Sequence, residues 1–157
     1  MPDQVFYFDT MLLIAYLKGE KERDLYKTAK DIIGKLKGMR ARGHPIEVRI
    51  SALVVAEVIN KFREQMKDLQ EDLLGRFLKL INELNIEITF PNKEAIECAR
   101  ELLNEDTYLK PTDAMIVAQF LTERMAESVT LYTVDKDLYN SRAIMDRLDK
   151  IHKIKDS

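Results

Sequence analysis

The chain reads as an α/β protein whose parallel sheet is covered by helices on both faces. Two observations and one rule of connection predict this. Short β-branched and aromatic runs alternate with longer segments of helical periodicity. One helical segment, "DAMIVAQFLTERM", is apolar nearly all round, as a helix packed between a sheet and other helices must be. Strands alternating with helices also imply βαβ units, and such units build a parallel sheet.

The elements follow in order. "VFYF", Val5 to Phe8, is the first strand, and the helix "TMLLIAYLK" leaves it at once. "ERDLYKTAKDIIGKLKGM" repeats apolar residues at Leu25, Ala29, Ile32, Ile33 and Leu36, and is ended near Gly38 and Gly43. "IEVRIS", Ile46 to Ser51, is the second strand. The helix behind it keeps Val55, Val58, Ile59, Phe62, Met66 and Leu69 on one stripe, and "DLLGRFLKLINEL" continues helically. "IEITF", Ile86 to Phe90, is the third strand, and Asn92 caps the helix "NKEAIECARELLNED". "VTLYTV", Val129 to Val134, is the fourth, followed by a helix over "LYNSRAIMDRL". "IHKI", Ile151 to Ile154, adds a fifth. Ser51 and Thr112 read as helix caps. Tyr7, Phe8, Tyr16 and Phe120 read as core, and Tyr132 and Tyr139 are expected to pack rather than stack on a base.

With 157 residues and no internal repeat, low-complexity tract or linker, residues 1–157 are expected to form one domain. Hydrophobic residues at 46% and charged residues at 33% balance as in a folded chain, not a disordered one. No apolar run is long enough to span a membrane, and "MPDQVFYFD" lacks the basic region of a signal peptide, so a cytoplasmic protein is expected. The one cysteine, Cys98, excludes an internal disulfide and a thiolate zinc cluster, and His44 and His152 stand far apart in the chain. The net charge is −2, but its distribution is uneven. From Lys18 to Arg49 there are ten Lys/Arg and five Asp/Glu, giving +5, so the remainder carries −7. Such a basic flank could hold a phosphate backbone, and a solvated helix face accounts for the same charges.

Ligands of open α/β sheets bind outside the carboxyl ends of the strands. Asp9 sits at that end of the first strand, and Asp135 at that end of the fourth, with Asp137 two residues on. Asp113, in "KPTDAMIVA", opens the buried helix, and Glu57, in "SALVVAEVINKF", lies about two turns into the helix after the second strand. Taken singly, each has a duller explanation: a turn residue, a first-turn acid favoured by the helix dipole, a surface glutamate. Taken together, four carboxylates from four segments converge on one edge of the sheet. Like charges that close would force protonation unless a hard divalent cation joined them. Mg²⁺ or Mn²⁺ is the natural candidate. Thr10 and Thr133 flank the same edge as hydroxyls able to orient a carboxylate or water, or simply as good strand-end residues.

The pieces "YFDTMLLIAYL", "SALVVAEVINKF", "PTDAMIVAQFL" and "LYTVDKDL", in this order from Phe6 to Leu138, resemble the PIN-domain family, especially the toxin branch of prokaryotic VapBC systems. The resemblance implies a three-layer fold with sheet order 3-2-1-4-5. It implies a metal-dependent ribonuclease with Asp9, Glu57, Asp113 and Asp135 as the metal-binding catalytic acids and Asp137 as an accessory acid. Homodimerisation and an antitoxin partner are implied as well. The segment Glu20 to Gly43 is long for a compact toxin of this kind. The reaction expected is in-line attack of water on a phosphodiester of single-stranded RNA, leaving a 5′-phosphate and a 3′-hydroxyl. Two alternatives stand beside it. A PIN-like scaffold would bind RNA or protein without cutting. A phosphatase of the haloacid-dehalogenase type would use Asp9 as nucleophile, but the position two residues later, where those enzymes place a second acid, holds Met11.

Overall fold

A computed structural model describes residues 2–19, 24–69 and 72–156, the side chains of 64–69 excepted. The elements run β1 (Gln4–Phe8), α1 (Thr10–Lys18), α2 (Asp24–Ala41), β2 (Ile46–Ser51), α3 (Ala52–Leu69), α4 (Leu73–Leu84), β3 (Glu87–Thr89), α5 (Lys93–Glu105), α6 (Pro111–Thr122), β4 (Ser128–Tyr132), α7 (Lys136–Tyr139), α8 (Arg142–Met145) and β5 (His152–Lys155). The five strands form one sheet in the order β3-β2-β1-β4-β5. Every pairing is parallel. The fold class and strand order are therefore those expected.

Alternation along β1 divides the core. Phe6 and Phe8 point to one face, where they join Leu12 and Leu13 of α1, Ile33 and Leu36 of α2, and Val54, Val58 and Phe62 of α3. Val5 and Tyr7 point to the other, against Leu102 of α5 and Val117, Phe120 and Leu121 of α6. This is the physical content of the three layers: a sheet buried on both faces must read as nearly continuous apolar runs. Ile116 is the exception on α6, reaching the first cluster. The all-apolar character of α6 follows from its place between the two clusters, with residues 116–121 all buried.

Three expectations need adjusting. Thr112 does not cap α6: the helix begins at Pro111, whose fixed φ and missing N–H suit the first helical position, so Thr112 lies inside the first turn. The helix expected over "LYNSRAIMDRL" is two short ones, α7 and α8, parted at Asn140 and Ser141. Ser141 donates its hydroxyl to Asp106 Oδ2 at 2.7 Å, a partner far away in sequence. Phe90 lies beyond β3 and is 77% exposed. Glu22 and Arg23, at the start of the second helical segment, and the places of Met66 and Leu69 on the stripe of α3 lie outside the described residues. Among the described residues no helix is long and apolar enough to cross a membrane.

Candidate active site

Parallel strands put their carboxyl ends on one edge, and β1 and β4 lie side by side there. Asp9 directly follows β1. Its N–H donates to the carbonyl of Tyr132 at 3.2 Å, tying the end of β1 to the end of β4. Its side chain caps α1, accepting from the Leu12 N–H at Oδ1 over 3.0 Å, and Oδ2 accepts from the Thr133 hydroxyl. Asp9 is only 4% exposed. Burial pushes its carboxyl up to about 7 against the pull of those hydrogen bonds, and Asp135 and Asp113 push the same way.

The other acids reach the same place from three more segments. Asp113 is the third residue of α6 and half-buried. Burial, then repulsion from Asp135 and Glu57, pushes it up to about 6, with Lys110 opposing. Glu57 comes from α3, and its Oε1 accepts from the Thr10 hydroxyl at 2.8 Å. Asp135 caps α7 by accepting from the Asp137 N–H at 2.9 Å, while its own N–H donates to Thr133 Oγ1 at 3.0 Å. Thr133, fully buried, thus links Asp9 to Asp135. Asp9, Glu57, Asp113 and Asp135 all line one open cleft of about 510 Å³. Asp137 does not join them; it is exposed and lines a neighbouring cleft that shares Asp113.

Among the described residues, no group of three or more His, Cys, Asp or Glu stands ready-made to hold a metal ion. Mg²⁺ does not demand one. It keeps several waters and is usually held by one or two carboxylates together with substrate phosphate. The donors facing the cleft are oxygens, and two of the carboxyls are raised by burial and by neighbouring acids, a conflict that a hard dication relieves. The residues fit Mg²⁺ or Mn²⁺.

Sequence reading missed polar and cationic residues of α3 and the start of α6 around the acids. Asn60, Lys61 and Lys110 line the cleft with Lys18. A signal existed for the first two, because they stand three and four residues after Glu57 and so share its helix face. The basic flank from Lys18 to Arg49 contributes less than expected: among its described residues only Lys18 lines the cleft. Lys37 pairs with Glu83 at 2.5 Å, and Arg49 is held by Glu47, Glu123 and, at 3.5 Å, Glu87. Lys21 and Arg23 lie outside the described residues. Met11, where a phosphatase would need its second acid, is a 45% exposed apolar wall of the cleft.

Comparison with protein families adds one decisive observation: the PIN domain profile matches residues 6–143. The chain belongs to the PIN-domain family. PIN domains are generally metal-dependent nucleases. Among solved structures, this PIN domain is similar to a chain of VapBC2 from Rickettsia felis, a complex bound to a DNA fragment from its promoter. The TM-score is 0.60 at 18% identity, covering 97% of this chain and 99% of that one. It also matches PAE2754 from Pyrobaculum aerophilum with a TM-score of 0.49 at 14% identity, over 96% of this chain and 84% of that one. No curated protein matches it.

Thr133 offers a first test of the site. Thr133→Val removes the donor that holds Asp9 and the acceptor for the Asp135 N–H. The Asp9 carboxyl should then rise further, and any Mg²⁺ binding by the cleft should weaken by roughly tenfold or more, as when a group supporting a metal ligand is lost. Calorimetric titration with Mg²⁺ measures it.

Proposed function

We propose that this PIN domain is an endoribonuclease that uses Mg²⁺ or Mn²⁺ to hydrolyse phosphodiester bonds of single-stranded RNA. Asp9, Glu57, Asp113 and Asp135 are its catalytic acids, and Asp137 is an accessory one. The observation that carries the reading is a single cleft lined by four carboxylates from four chain segments. When bound, the ion supplies a Lewis acid for the phosphoryl group and makes water a better nucleophile near neutral pH. Asp9 and Asp113 hold it directly, and both must release their protons to do so. Glu57, oriented by Thr10, and Asp135, oriented against Thr133, complete the site or act through water. Lys18, Lys61 and Lys110 offset the negative charge of an incoming strand. Because water and not the ribose 2′-hydroxyl attacks, the products carry a 5′-phosphate and a 3′-hydroxyl.

The wider reading is the toxin of a toxin–antitoxin pair: a cytoplasmic homodimer of one domain, residues 1–157, checked by an antitoxin protein. Its support is the motif resemblance and the likeness in fold to a chain of VapBC2. Single-stranded RNA incubated with Mg²⁺, with Mn²⁺ and with EDTA tests the activity. Cleavage in the first two only, with 5′-phosphate ends, is the expected result; cleavage that survives EDTA removes the mechanism. The alternative is a PIN-fold scaffold that binds RNA or protein without cutting. It predicts no acid-dependent uptake of Mg²⁺.

A further inference from the structure

The acid cleft does not end at Asp113. Lys110 and Asp113 also wall a second open cleft of about 660 Å³, to which Tyr108 and Arg142 contribute. Tyr108 is 96% exposed, so its ring gains almost nothing from burial. A single exposed aromatic is ordinary, but this one is held out by an anchored loop. Its N–H donates to Asp106 Oδ1 at 3.0 Å, Asp106 Oδ2 accepts from Ser141, and the next residue, Leu109, is buried in the core.

The charges of this cleft are equally particular. Its acids are Glu105, Asp106, Asp113 and Asp137, and its cations Lys110 and Arg142. Glu105 is already gripped by Arg147 through contacts of 2.5 and 2.7 Å, and Asp106 is occupied by Ser141 and the Tyr108 N–H. Lys110 and Arg142 make no salt bridge among the described residues. Cations free of salt bridges, though Lys110 feels the nearby Asp113, stand here beside an outstanding aromatic ring, and a single nucleic-acid strand requires both: charge for its phosphates and a π-face for its base.

We infer that this second cleft seats the nucleotide next to the scissile phosphate of a single RNA strand, with Tyr108 stacking on its base and Lys110 and Arg142 holding its phosphates. The inference rests on the ribonuclease reading for the position of the scissile bond, and on the cleft itself for the binding. Stacking of this kind tolerates every base, so the contact adds affinity more than sequence choice.

The test is fluorescence anisotropy of a labelled single-stranded 12-nucleotide RNA in EDTA, where no cleavage occurs, alongside Mg²⁺-dependent cleavage kinetics. Tyr108→Ala should weaken RNA binding by roughly tenfold or more, the size of one lost base–aromatic stack, and Tyr108→Phe should restore it. In cleavage the loss should fall on KM and spare kcat. Mg²⁺ affinity measured by calorimetry should not change. Arg142→Gln should flatten the dependence of log Kd on log salt by about 0.7, one phosphate contact on a single strand. Tyr108→Ala binding RNA as tightly as the wild type overturns the inference, even if the RNA is cut. A wild type that fails to bind RNA overturns it too, as does a Tyr108→Phe protein as weak as Tyr108→Ala, or a loss confined to binding of a protein partner. Tyr108-dependent binding without cleavage would instead remove the nuclease and leave the cleft standing.

Discussion

Asp9→Asn should abolish the proposed Mg²⁺-dependent RNA cleavage while making the metal-free protein more stable. The two halves of this expected result share one cause. Asp9 is buried to 4% exposure among other acids, and its carboxyl is pushed up to about 7. Ionising it in the folded state therefore costs free energy that the unfolded chain does not incur. A tenfold change in proton affinity corresponds to about 1.4 kcal/mol, so the cost near pH 8 is on the order of a few kcal/mol. Asparagine removes the charge and keeps the structure, because it caps helices as well as aspartate does and can still accept from the Leu12 N–H. A domain of this length gains about 2–4 °C in Tm per kcal/mol, so the variant should melt on the order of 10 °C higher at pH 8. Activity should fall by about a thousandfold or more, beyond the ~10–100-fold that follows loss of a merely supporting group. Asp113→Asn should abolish cleavage too, with a smaller gain in stability because Asp113 is only half-buried. Cleavage assays and thermal melts check both. An Asp9→Asn protein that still cuts RNA would take Asp9 out of the mechanism.

Stability should also fall as pH rises, and Mg²⁺ should reverse the loss. Between the ordinary carboxyl value of 3.8 and the folded value of about 7, the folded Asp9 binds a proton that the unfolded chain has released. Stability contributed by that proton is fully present below about pH 4 and is lost as pH climbs through about 7. Exposed carboxylates held low by hydrogen-bonding partners act oppositely. Glu83 is held by Lys37, Glu105 by Arg147 and Asp149 by His152, and their contribution fades as pH falls through their lowered values. The useful comparison is therefore wild type against Asp9→Asn between pH 5 and pH 8: the wild type's Tm drops across this window relative to the variant's. Added Mg²⁺ competes with the proton, so it stabilises most at pH 8 and least at pH 5. At a hundredfold excess over its dissociation constant the gain is about 2.7 kcal/mol, and in Asp9→Asn it should nearly vanish. Differential scanning fluorimetry across pH with and without Mg²⁺ records the effect.

The sheet was legible in the sequence because burial on both faces writes itself as apolar runs, and parallel pairing then leaves few topologies. The positions of Asp9, Asp113 and Asp135 were legible for the same reason, since strand ends and helix starts fix where a side chain emerges. What escaped depends on contacts between distant segments. Nothing local in "LYNSRAIMDRL" announces that Ser141 will bond Asp106 and split the helix in two. Nothing in the basic run from Lys18 to Arg49 shows that Arg49 will be claimed by Glu47, Glu87 and Glu123. Beyond Lys18 of that run, the cations beside the acids come from α3 and the start of α6, far apart in the chain and brought together only by packing. Sequence alone leaves Asp9 as either a turn residue or a metal ligand. It caps α1 in fact, and burial raises its carboxyl to about 7 despite that cap.

Isothermal titration of Mg²⁺ into the protein at pH 8 and pH 5.5, for wild type, Asp9→Asn and Asp113→Asn, tests the acid cleft most directly. Saturable binding by the wild type at millimolar Mg²⁺, weaker at pH 5.5, accompanied by proton release and lost in both variants, is the result expected. Equal heats from all three proteins, or no binding at pH 8, would contradict it.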